Sequence, residues 1–175
     1  MDFYNLAEMR QSCRKYNPEK QVEKEKLDLI IDSSLLAPSA CNAQPYKITV
    51  CKSETAKRVA QEVQGMGMNK FAADAPVIIV ISEGSYNSTA ALGSKVKGND
   101  YRSIDIGILA AHITLAAASL GLDTCILGWL DDMKIRKICS LDSPVRLVIT
   151  LGYAEENYPH RVKKRKPKSE TVKFI

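Results

Sequence analysis

The stretch that most restricts the fold is Ile104 to Leu120, Ile-Asp-Ile-Gly-Ile-Leu-Ala-Ala-His-Ile-Thr-Leu-Ala-Ala-Ala-Ser-Leu. It predicts a helix that is rich in alanine and apolar around most of its circumference, which has to be covered on several sides. No apolar run in the chain approaches the roughly 20 uncharged residues of a bilayer span, so the cover has to be protein. One sheet face hides only part of such a helix. Gly107 and the alanines admit close helix packing, and the surplus apolar face calls for a second subunit.

The sheet follows from short apolar runs. Pro76-Val-Ile-Ile-Val-Ile81 is continuous and β-branched, which predicts a strand buried on both faces. Tyr46 to Cys51, Cys125 to Leu127 and Val145 to Leu151 read as further strands. Helices are expected at residues 2–10, 22–37, 54–64 and 131–139, the second ended by Pro38. Glu83 to Asp100, polar and containing Gly and Ser, reads as a mobile loop. The irregular interleaving predicts an α+β fold: a three-layer α/β/α sandwich with a mixed central sheet, over one domain spanning 1–175.

Charge and cysteine usage exclude several functions. The net charge is +5, but Arg161 to Lys168 contribute +6, so the rest sums to −1. The basic character is a tail and not a surface spread over the fold; it reads as a solvated end, as a nucleic-acid or anionic-lipid patch, or as cations that return to the fold and complete a phosphate site. Five scattered cysteines without Cys-x-x-Cys spacing, and two histidines in unrelated contexts, argue against a disulfide framework or a metal site. His112 reads as a satisfied structural histidine. The N-terminus lacks signal-peptide character, so a cytoplasmic protein is expected.

Three segments could carry chemistry. If residues 10–14 are extended, Arg10, Ser12 and Arg14 project from one edge. Two guanidinium forks around a hydroxyl suit a phosphate monoester; the same pattern also fits a solvated charged turn. The loop Ala37-Pro-Ser-Ala-Cys-Asn-Ala-Gln-Pro-Tyr46 is stiffened by two prolines, and its small residues let backbone approach a planar heterocycle while Asn42 and Gln44 read ring edges. Gly128, directly after a strand, permits close backbone approach, and Trp129 either walls an aromatic pocket or sits in the core. Dinucleotide, P-loop and nucleophile-elbow motifs are missing, as is any Ser/His/Asp set. Anion and heterocycle binding without an acid, base or nucleophile suits an enzyme whose cofactor supplies the chemistry.

The order of these pieces resembles the FMN-dependent nitroreductase family: Arg10-x-Ser12-x-Arg14, Pro38-Ser-Ala-Cys-Asn42-Ala-Gln44-Pro, Asp74-Ala-Pro76 before a strand, the apolar helix, Gly128-Trp129, then Gly152-Tyr153 before the basic tail. The resemblance implies a homodimer with FMN at the subunit interface and the 160–175 tail packed on the dimer. It implies that Arg10, Ser12 and Arg14, with Gln11, meet the FMN phosphate and ribityl chain together with Lys163 and Arg165. It also implies that Pro38, Ser39, Ala40, Asn42 and Gln44 lie against the partner's flavin, Leu127 and Gly128 near its N5 edge, and Asn69 near the ring. Tyr46 stands where relatives more often carry tryptophan, and Cys41 where many carry no thiol. The short 83–100 segment suggests a reduced substrate lid.

The implied activity is electron transfer from NADH or NADPH through FMN to a small acceptor such as a nitroaromatic or quinone, with neither nucleic acid nor membrane as partner. A flavin-binding or storage module without turnover is an alternative, as are reductive dehalogenation and flavin fragmentation.

Overall fold

The computed structural model describes residues 2–175. The elements run α1 (Phe3–Met9), α2 (Lys24–Leu35), β1 (Tyr46–Lys52), α3 (Ser53–Gln61), β2 (Val77–Glu83), α4 (Ser88–Lys97), α5 (Tyr101–Ser119), β3 (Asp123–Leu127), α6 (Asp132–Cys139), β4 (Val145–Gly152) and α7 (Lys168–Thr171). The four strands form one sheet in the order β1-β2-β4-β3, antiparallel at every neighbour. A mixed sheet was expected; among the described residues the parallel component is the isolated bridge of Ser12 to Thr124. It sets residues 10–14 beside the outer strand β3.

Alternation along β2 divides the core in two. Val77, Ile79 and Ile81 pack with Leu27 and Ile30 of α2 and Ile106, Leu109 and Ile113 of α5. Ile78 and Val80 point the other way, onto Val59 and Ala60 of α3 and Ile135 of α6. Three layers result, and β2 has no polar face because both its sides are covered. Each of these buried side chains except that of Ala60 contributes roughly 1.5–3 kcal/mol through burial.

Helix α5 exposes what its sequence predicts. One face buries Ile106, Leu109, Ala110, Ile113 and Ala117, whereas Ile104, Gly107 and Ala111 are exposed and Ile108, Leu115 and Ala116 only partly covered. His112 Nδ1 lies 3.0 Å from the Ile108 carbonyl, a bond within its own helix.

The expected mobile loop at 83–100 is in fact mostly helix. Asn87 accepts from the Ala90 N–H at 2.7 Å, and Gly98 ends α4 in the left-handed region at φ +61°. Both are ordinary start and stop signals. Weak amphipathicity and an internal Gly93 hid them.

Candidate functional site

Residues 10–14 leave α1 as extended chain. The Cys13 N–H donates to the Thr124 carbonyl at 2.8 Å, and Cys13 is fully buried. Arg14 is exposed, while Arg10, Gln11 and Ser12 are all half-buried, so alternation does not set Gln11 apart from its neighbours. Burial pushes the Cys13 thiol up to about 11, which leaves it a neutral packing group.

The C-terminal segment closes over this edge. Arg161 donates to the Ser12 carbonyl, and Lys163 Nζ to the Arg10 carbonyl. Gln11 Oε1 accepts from the Arg161 N–H at 3.1 Å while its Nε2 donates to the Pro159 carbonyl at 3.2 Å. The Arg14 N–H donates to the Tyr158 hydroxyl at 3.0 Å. Gln11, expected among the cofactor residues, thus spends its amide tying the tail to the fold.

Between the two segments lies an open cleft of about 560 Å³, lined by Arg10, Gln11, Ser12, Arg14, Arg161, Val162, Lys163, Lys164 and Arg165. Six of these side chains are cationic and none is acidic. Among the described residues none of the six forms an ion pair, although other surface cations do. Burial, with Arg10 and Arg165 nearby, pulls the Lys163 ammonium below its usual range. Such crowding of like charge is unfavourable until a multivalent anion enters. Arg161 was not singled out from the sequence, yet it stands two residues before Lys163 and four before Arg165. That is the alternate spacing that marks 10, 12 and 14.

The loop 38–44 is held in a strained shape. Cys41, Asn42 and Gln44 all have left-handed backbones, at φ 50°, 50° and 45°, a region costly for residues other than glycine. Ser39 Oγ accepts from the Gln44 N–H at 3.0 Å, and Gln44 Nε2 donates to the Asn42 carbonyl and Oδ1, both at 3.1 Å. Asp105 Oδ1 of α5 accepts from the Ala40 N–H at 3.0 Å, and Asn87 Nδ2 donates to the Cys41 carbonyl at 3.0 Å. Pro38, Asn42 and Gln44 are exposed, and Ser39 and Ala40 partly so.

At the end of β3 the Leu127 side chain is buried, so only its backbone can face a ligand. A Cβ on Gly128 would meet nothing within 4 Å; open space, not crowding by its own chain, surrounds it. Trp129 is 51% exposed, which removes the core reading. Its indole leans on Gly65, where a Cβ would come within 2.4 Å of Nε1. Asn69 is left-handed at φ 57°, and its Nδ2 donates to the Val63 carbonyl at 3.0 Å, so half of its amide serves its own loop.

Arg10, Gln11, Ser12, Arg14, Lys163 and Arg165 therefore meet at one cleft. Residues 38–44, Asn69, Leu127 and Gly128 do not line it.

The comparisons with known proteins agree with one another. A model of the Nitroreductase family matches residues 7–66 and 57–153. A protein of Methanothermobacter thermautotrophicus, provisionally named NADH dehydrogenase/NAD(P)H nitroreductase, is 32% identical over 163 residues, covering 90% of this chain and 80% of its own. The crystal structure of a nitroreductase family protein from Streptococcus pneumoniae superposes with a TM-score of 0.82 at 21% identity, covering 99% of this chain and 100% of its own; at that identity it speaks for the fold. An FMN-dependent nitroreductase from Clostridium difficile is 29% identical, with a TM-score of 0.74 and 98% coverage of both chains. The chain belongs to the nitroreductase family.

Proposed function

We propose that this protein is an NAD(P)H-dependent FMN oxidoreductase that works as a homodimer in the cytoplasm, as one FMN-binding domain with its basic tail packed on the dimer. The observation that carries the reading is the cleft of six cations, with no acidic side chain, between residues 10–14 and 161–165. A phosphate monoester with about −1.5 to −2 charges at neutral pH fits it, and guanidinium forks suit its oxygens. The family match and the FMN-dependent relative support the same cofactor. Among the described residues no helix is long and apolar enough to cross a membrane.

In this reading Arg10, Ser12, Arg14, Lys163 and Arg165 hold the phosphate end. The 38–44 loop of one subunit and the Leu127–Gly128 backbone bound the ring of a flavin shared between subunits, which accounts for their separation from the cleft within one chain. A bound FMN would supply, through its N5, the hydride chemistry for electron transfer from NADH or NADPH to a nitroaromatic or quinone. The protein's part is orientation, exclusion of water and backbone donors for developing negative charge. No side-chain acid or base is needed for that work.

The absorption spectrum of the purified protein, followed by NADH and NADPH oxidation with menadione or nitrofurazone, tests this. A yellow protein with acceptor-dependent turnover is expected. Failure to take up added FMN overturns the cofactor; FMN binding without turnover overturns the reductase in favour of a storage module.

A further inference from the structure

Three left-handed residues within four positions do not persist unaided, and the internal bonds of the 38–44 loop leave its tip dependent on outside anchors. The two such side-chain anchors among the described residues come from different elements. Asp105, only 2% exposed, reaches the Ala40 N–H from the first turns of α5. Asn87 reaches the Cys41 carbonyl from the start of α4. Asn87 has both ends of its amide engaged, because Oδ1 caps α4 through the Ala90 N–H while Nδ2 holds the loop. Neither residue lines the cation cleft.

We propose that Asp105 and Asn87 are positioning residues for the 38–44 loop, and that the two-ended Asn87 amide couples formation of α4 to the shape of that loop. The inference deepens the flavin reading and rests on it. Asp105 fixes the loop's N-terminal half to the rigid helix α5. Asn87 makes its other half conditional on α4 being capped. A contact that reorders α4 then bears on the loop through the Asn87 side chain.

The two ends of the amide are separable by mutation. Asn87→Asp keeps the capping oxygen and loses the donor; Asn87→Ala loses both. Asp105→Asn keeps an acceptor for Ala40, whereas Asp105→Ala removes it. Two measurements are made on each dimer: hydrogen exchange of the Ala40, Asn42 and Gln44 amides without flavin, and FMN titration followed by the visible spectrum of the bound flavin. Asn87→Asp is expected to keep wild-type helix content, to exchange Asn42 and Gln44 about tenfold faster, corresponding to ~1.4 kcal/mol, and to alter the flavin band. Asn87→Ala should add a loss of α4 protection. Asp105→Asn should restore most of what Asp105→Ala loses at Ala40. Wild-type exchange rates and an unchanged flavin band in Asn87→Asp overturn the coupling, even if its melting temperature falls. Fast loop exchange in Asn87→Asp, beside a wild-type protein that binds no FMN, overturns the flavin reading and the cofactor half of the proposal, and leaves the anchoring of the loop supported.

Discussion

The Lys163 ammonium donates to the carbonyl of Arg10, so two ends of the sequence meet over the cationic cleft. Burial, then the neighbouring Arg10 and Arg165, hold the Lys163 pKa below its ordinary 10.5. A bound phosphate opposes that lowering, which couples FMN affinity to pH. Lysine attracts the anion only while protonated. The contribution of Lys163 is therefore present at neutral pH and begins to fall as pH rises past its lowered pKa, below 10.5. On the acid side, affinity falls as the phosphate gains its second proton near about pH 6. FMN titrations between pH 5 and 10 check both limbs, and Lys163→Gln is expected to flatten only the alkaline one.

Arg14→Ala is expected to weaken FMN binding by about 1.5–3 kcal/mol, the range for a hydrogen bond to a charged group. Riboflavin affinity should change little. The backbone N–H of Arg14 keeps its bond to the Tyr158 hydroxyl in the mutant, so the segment stays in place. Equal losses for both flavins would make Arg14 structural.

Dimerisation and cofactor binding should be linked. The exposed Ile104, Gly107 and Ala111 of α5 leave an apolar stripe uncovered in one chain. FMN should raise the melting temperature in a concentration-dependent way, and dilution that separates subunits should release flavin. Light scattering that finds a monomer of 19.4 kDa still holding FMN tightly counts against the shared site.

The thiols should separate by burial. Cys41 is exposed, while Cys13, Cys51 and Cys125 are buried, so iodoacetamide should label Cys41 first in the folded, flavin-free protein. Burial pushes Cys51 up to about 12 and Cys13 up to about 11, from 9.0. Groups raised on folding give stability that is intact below the unfolded pKa and lost as pH climbs through the folded value. Melting temperature should therefore drop between about pH 9 and pH 12, and Cys51→Ser should lessen the fall.

The layers were readable because β2 and α5 carry their burial in their composition: no arrangement leaves Ile78 and Ile79 both wet. The cation cleft was half readable. Arg10, Ser12 and Arg14 declare themselves through alternation, but which tail cations join them depends on where the chain returns, and Arg161 went unchosen. Asp105 was invisible as an anchor, since one carboxylate in an apolar helix shows nothing of the backbone N–H it serves. Helix α4 was missed for a different reason. Its cap residues are clear, yet its interior does not favour one face strongly enough to reveal a helix.

The return of the tail has a bearing on biosynthesis. Every strand is complete by Gly152, whereas four of the cations around the cleft lie beyond it, from Arg161 to Arg165. A nascent chain stalled after Gly152, or one clipped by a protease there, keeps the residues of its sheet but only two of the six cations. Such a chain would be left with Arg10 and Arg14 alone at the proposed phosphate site.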